Sequence, residues 1–114
     1  MFCILWNISS ILLPSPYSPL EQLLAAALRV FGKVDVWINN AGRGCVATAL
    51  ELTDDVFDDM MLVNTKSALY GMQTVIPYFK TRSDGGSGHV INVSSLLGRV
   101  PFASMRSACE SSNG

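Results

Sequence analysis

The chain has 114 residues, of which 49% are hydrophobic and 15% charged, and its formal net charge is -1. That length is one domain or part of one, and so apolar a composition favours strands covered on both faces. The near-neutral charge gives no electrostatic reason to expect nucleic acid or an anionic membrane; three cysteines without a Cys-x-x-Cys pair and a single His89 provide no metal set and fit a reducing, cytoplasmic compartment.

In chain order, residues 1–19 form an unassigned apolar and Pro/Ser-containing segment. Phe2 to Trp6 and Ile11 to Leu13 are apolar, but Asn7, Ser9 and Ser10 interrupt them and Pro14 ends them. The first basic residue is Arg29, so the basic start of a secretory signal is missing. A membrane span wants about 20 apolar residues, more than this stretch holds. The opening residues can supply a strand, although nothing in their pattern fixes its place. The glycosylation sequons at Asn7 and Asn92 read as chance matches, the second lying within an expected buried strand.

A helix follows. Ser18 suits the cap, Pro19 the first turn and Glu21 the capping-box position, and Leu20, Leu23, Leu24, Ala27, Leu28 and Phe31 repeat along one face. Gly32 is a natural residue to end it. The β-favouring run Val34 to Ile38 then predicts a buried strand that stops at Asn39-Asn40-Ala41-Gly42. After a loop, Thr53 is placed to cap a long helix over 53–80, with Asp54 and Asp55 in its first turn. Its expected inward stripe is Val56, Phe57, Met60, Met61, Asn64, Ala68, Gly71 and Val75, towards Phe79, and Pro77 is expected to kink its end. A Gly/Ser-rich linker leads to a second strand, His89 to Val93, ending in Ser94-Ser95. Leu96 to Met105 reads as loop, and Arg106 to Ser112 as the start of a helix. Strands joined through a helix are parallel, with the space beyond their C-terminal ends the usual ligand crevice.

Asn39-Asn40-Ala41-Gly42 at one strand end, Val63-Asn64 within a helix and Ile91-Asn92-Val93-Ser94-Ser95-Leu96-Leu97-Gly98 at the next strand end stand in a familiar order. Together they resemble the central segment of the short-chain dehydrogenase/reductase family over about Leu20 to Ser112, and three motifs in register are specific where one is weak. The resemblance implies an α/β fold, a partial Rossmann-like doubly wound parallel sheet over residues 20–114. It implies NAD or NADP as cofactor and hydride transfer between a carbonyl and an alcohol. Asn40, Ala41 and Gly42 would line the adenine–ribose side of the cofactor, with Val63 near the adenine. Ser95 would hold the substrate oxygen, and Asn64 would sustain a water-mediated proton relay. The family's pairing through its long helix implies that 53–80 could join this chain to full-length relatives.

The sequence also departs from that family. No glycine precedes Gly32, so the glycine-rich phosphate loop is absent from these residues. Cys109 stands where the tyrosine of a Tyr-x-x-x-Lys pair belongs, and Asn113 where its lysine belongs. A thiol is a whole ring shorter than tyrosine, and a neutral amide supplies no field to lower its pKa. The expectation is a chain truncated at both ends and inactive alone, either a non-catalytic binding piece or a partial coding sequence.

Taken without the resemblance, the same residues have ordinary readings. Asn39 and Asn40 suit a turn that bonds its own backbone, and Asn64 suits a satisfied buried amide. Cys45 reads as a small apolar filler, and Trp37 and Tyr70 as packing residues.

Overall fold

A computed structural model describes residues 3–5, 18–45, 47–96 and 99. The elements are β1 (Cys3–Leu5), α1 (Ser18–Phe31), β2 (Val36–Asn39), α2 (Asp54–Met61), a π-helical turn (Leu62–Lys66), α3 (Ser67–Thr81) and β3 (His89–Asn92). The strands form one parallel sheet in the order β1-β2-β3, so the opening residues do supply a strand, beside β2.

The helix α1 lies where its apolar repeat placed it, with Leu20 and Ala27 buried and Leu23, Leu24 and Leu28 half-buried, but Phe31, expected on the same face, is 51% exposed. Gly32 closes it at φ +77°, a left-handed conformation that costs glycine no Cβ clash, and its N–H still bonds the Leu28 carbonyl at 2.9 Å. One face of the sheet carries Trp37 and Val90, and both α1 and α3 pack on it. The core there joins Leu20, Ala27, Val34, Trp37, Val75 and Phe79. Trp37 is the largest fully buried side chain among the described residues. At about 25 cal/mol per Å2 over about 200 Å2, an indole contributes roughly 5 kcal/mol before entropy is counted.

The expected long helix over 53–80 is instead two α-helices joined by a π turn. Thr53 is the N-cap residue of α2, but its side chain makes no capping bond; its carbonyl takes the Phe57 N–H at 3.0 Å. The helix α3 runs past Pro77 to Thr81, and a π turn interrupts the α-helical pattern earlier, at 62–66. A wider turn shifts the faces that follow it. Met60, Gly71, Val75 and Phe79 are buried as the periodicity required, but Val63 and Ser67 occupy the buried positions between them, while Asn64 and Ala68 are half-buried. The Ser67 hydroxyl donates to the Val63 carbonyl inside this turn.

At the N-terminal end of β2 the chain is tied by charge. Arg82, just past α3, donates to the Val34 carbonyl at 2.7 Å and pairs with Asp35 at 3.1 Å and with Asp84. Lys33 reaches Asp35 at 3.3 Å, and the Val34 N–H donates to the Tyr78 hydroxyl at 3.1 Å.

Candidate functional site

The register Asn39↔Asn92 sets the C-terminal ends of β2 and β3 side by side, and a bond from the Val93 N–H to the Asn39 carbonyl at 2.9 Å carries the ladder one residue further. Asn40-Ala41-Gly42 and Ser94-Ser95 therefore leave the sheet from adjacent strands at the same edge. Asn40, Gly42, Ser94 and Ser95 are exposed there, and Ala41 is half-buried. The amide motif and the serine motif, far apart in sequence, belong to one surface.

Neutral hydrogen bonds hold that edge. The Trp37 indole N–H donates to Asn39 Oδ1 at 2.8 Å, which fixes which way the Asn39 amide faces. Its Nδ2 then donates to Asn92 Oδ1 at 2.7 Å and to the Ala68 carbonyl at 3.3 Å, and Asn92 Nδ2 points to Met72 Sδ at 3.7 Å. Gly71 makes the approach of α3 possible. A Cβ on it would stand 2.1 Å from Asn39 Oδ1 and 2.8 Å from the indole nitrogen. The sheet-fastening amide is thus Asn39, with Asn92 and Gly71 as its partners. The sequence holds no signal that sets Asn39 apart from Asn40; the choice is made where the pleat turns Asn39 towards Trp37 and Gly71.

Asn64 lies in the π turn with its amide aimed at the loop after β2. Its Oδ1 accepts the Arg43 N–H at 2.8 Å, and its Nδ2 donates to the Arg43 carbonyl at 3.0 Å. The side chain so copies the pattern of a strand partner and fixes the path of the chain just beyond Gly42. The guanidinium of Arg43 pairs with Asp59 on α2, both ends half-exposed, so this pair holds a direction more than it stabilises. Val63, beside Asn64, is 4% exposed, behind the surface rather than on it. In the same loop, Thr48 donates from backbone and hydroxyl to Glu51 at 3.0 and 2.8 Å, and those bonds hold the Glu51 carboxyl below its ordinary range.

No group of three or more His, Cys, Asp or Glu side chains among the described residues could hold a metal ion. A dinucleotide finds a partial fit. The exposed Asn40 amide and the open backbone at Gly42, where the nearest atom to an added Cβ is Asn64 Oδ1 at 3.6 Å, suit a nucleoside laid along the edge. Among the described residues no group is placed for the pyrophosphate: Arg43, the cation next to Gly42, is engaged by Asp59, and no glycine precedes Gly32 in these 114 residues. Cys109 and Asn113, and the helix expected over Arg106 to Ser112, lie outside the described residues. No described helix is long and apolar enough to cross a membrane.

Residues 15–109 match the family model described as short chain dehydrogenase. A Staphylococcus saprophyticus protein described as an uncharacterized oxidoreductase is 38% identical over 82 residues, which are 72% of this chain and 32% of the relative. A short chain dehydrogenase from Mycobacterium smegmatis superposes with a TM-score of 0.79 at 23% identity, covering 86% of this chain and 40% of that one. ElxO with NADP bound superposes with a TM-score of 0.73 at 19% identity, covering 85% and 38%. The chain thus spans about a third of the length of the curated relative it matches, and the two superpositions speak for the fold.

Proposed function

The chain belongs to the short chain dehydrogenase family, and from that premise we propose that it carries the middle of an NAD(P)-dependent oxidoreductase site but does not transfer hydride by itself. One observation supports this most directly: a single sheet edge bears both the amide motif and the serine motif, joined by Asn39 and Asn92. On this reading Asn40, Ala41 and Gly42 line the nucleoside side of the cofactor, with Val63 as the wall behind them. Ser95 presents a hydroxyl to the substrate oxygen. Asn64 contributes by fixing the Arg43 backbone and by sustaining a water-mediated proton relay. The cofactor, when bound, supplies or accepts the hydride; the residues named here bind and orient.

The proposed inactivity rests first on the proton. General acid–base help is typically worth about 10²–10⁴-fold, and Cys109 and Asn113 are unsuited to give it. The pyrophosphate is also unsupported, so the reactant itself is held weakly. The test is NADH and NADPH oxidation by the purified 114-residue chain with a panel of aldehydes and ketones. No saturable turnover is expected; saturable turnover abolished by Ser95→Ala overturns the proposal of inactivity while upholding the site.

A second reading rests on the outer side of α3, where Leu69 is 45% and Ile76 is 38% exposed, two turns apart. That stripe is suited to pair the chain with a full-length relative as a non-catalytic partner. Co-purification with such a relative, lost on Leu69→Lys, is the outcome that supports it; unchanged co-purification or none at all refutes it.

A further inference from the structure

We infer that the Asp84–Gly85 step is a site of spontaneous isoaspartate formation and that the Arg82 guanidinium holds that reaction back. Of the six aspartates in the chain only Asp84 is followed by glycine; the others precede Val36, Asp55, Val56, Asp59 and Met60. The reaction needs the next backbone nitrogen to reach the carboxyl carbon, and glycine presents that nitrogen with no Cβ beside it. Gly85 and Gly86 stand at φ +92° and +74°, in the turn between α3 and β3 and outside both elements. In the first step the Gly85 nitrogen attacks Asp84 Cγ. An N–Cγ bond forms, a Cγ–O bond breaks, and the oxygen leaves as water with the nitrogen's proton, giving a cyclic imide. Water then adds to one of the two imide carbonyls. Opening on one side restores aspartate; opening on the other runs the main chain through Cβ and Cγ and leaves the former main-chain carbonyl as a free carboxylate. The water lost in the first step is regained in the second, and nothing is oxidised or reduced.

Arg82 opposes the first step in two ways. Its fork takes both carboxylate oxygens, Nε donating to Oδ1 at 3.0 Å and Nη2 donating to Oδ2. A carboxylate so held stays ionised, whereas the carboxyl must be protonated to lose water, and Arg82 keeps the Asp84 carboxyl below its ordinary range. The same bonds commit the oxygens to a partner two residues earlier, while the attacking nitrogen belongs to the residue after. The fork is itself anchored: Arg82 donates to the Val34 carbonyl at 2.7 Å and pairs with Asp35 at 3.1 Å. Its side chain is 9% exposed, against 49% for Asp84. A pair of two loose surface side chains would protect little; here one partner is fixed to the start of β2. The isoaspartyl product carries its carboxylate directly on Cα and no longer presents it as Arg82 now receives it. This inference does not depend on the catalytic reading.

The experiment ages the full chain at neutral pH, natively and in urea, and follows isoaspartate by enzymatic methylation and peptide mapping. Mapping separates Asp84 from Asn113-Gly114, the one Asn-Gly step in the chain. The expected result is slow conversion at Asp84 in the native wild type and faster conversion in urea, where the fork has lost its anchor. Arg82→Gln, folded by far-ultraviolet dichroism, is expected to convert about threefold or more faster than the native wild type, and at the wild-type rate in urea. Asp84→Glu, whose longer carboxyl must close a larger ring, is expected to lose the signal. Absence of isoaspartate at Asp84 even in urea overturns the site. Equal native rates for the wild type and Arg82→Gln, or a difference that persists in urea, overturn the role of the anchored fork. If Arg82→Gln fails to fold, Asp35→Asn replaces it, since it keeps Arg82 and removes one anchor; a native rate equal to that of the wild type then refutes the inference, as does a wild type that converts equally fast with and without urea.

Discussion

Gly71→Ala offers the sharpest test of how the site edge is built, because two effects of opposite sign meet at one atom. In an isolated helix the change is favourable by about 1 kcal/mol, since alanine gives up less backbone entropy than glycine. Here the new Cβ lands 2.1 Å from Asn39 Oδ1 and 3.1 Å from Asn39 Cγ, so the Asn39 amide must leave its place. It leaves behind three bonds, to Trp37, Ala68 and Asn92, each worth about 1 kcal/mol net. The indole N–H belongs to a side chain only 1% exposed, and stranding such a donor adds about 1–3 kcal/mol where water cannot reach it. Packing therefore outweighs propensity, and a net loss of about 3–5 kcal/mol is expected. Urea titration gives the free-energy difference, and the Trp37 indole proton resonance reports the broken bond directly. A Gly71→Ala chain as stable as the wild type, with that resonance unmoved, would refute the reasoning.

Asn64→Asp keeps an acceptor for the Arg43 N–H but sets a carboxylate against the Arg43 carbonyl, so it is expected to destabilise more than Asn64→Ser; a thermal melt of both variants orders them, and exchange of the Arg43 amide locates the change. Acid sensitivity should come from the other end of β2. Burial alone pushes the Asp35 carboxyl up, but the hydrogen bond from Arg82 and then the pairing with Lys33 outweigh it, and Arg82 likewise holds the Asp84 carboxyl down. Both therefore sit below the ordinary value of 3.8, so their stabilisation is complete above it and is lost as the pH falls through the lowered values. Arg82→Gln is expected to melt lower at neutral pH and to lose less on acidification; melting curves with equal acid slopes for the two chains would contradict this.

Much of the frame could be read from residue order alone. The helix α1 announced itself through Ser18, Glu21 and Gly32, and the two neighbouring strands through their β-branched runs and abrupt polar ends. That the amide and serine motifs share an edge followed from parallel strands, and the register confirms it. Three features could not be read. The place of β1 rests on three residues with no alternation, so its neighbour is a tertiary choice. The break at 62–66 has no local cause: every residue there accepts an α-helix, and the visible breaker, Pro77, lies well beyond Lys66, inside α3. What is specific to that turn is that Asn64 bonds Arg43 on a distant loop, which no helical periodicity contains. Nor could the sequence separate Asn39 from Asn40: only the pleat, which turns Asn39 towards Trp37 and Gly71, does so.

The two ends of β2 are secured by different physics, and the division has a consequence for the site. At the motif-bearing end every bond from Trp37 to Asn92 is between groups that do not titrate between acid and neutral pH. At the other end Arg82, Asp35, Asp84 and Lys33 carry the connection, and two of its carboxylates titrate. Acid therefore loosens the linker and the start of β3 before it touches the edge that bears Asn40 and Ser95. Because β2 and β3 share a ladder, that loosening shortens the pairing from its N-terminal side and leaves Asn39↔Asn92 as the last register pair to part. The arrangement places the least pH-sensitive bonds of the sheet under the residues assigned to binding, and the most sensitive ones at the edge farthest from them.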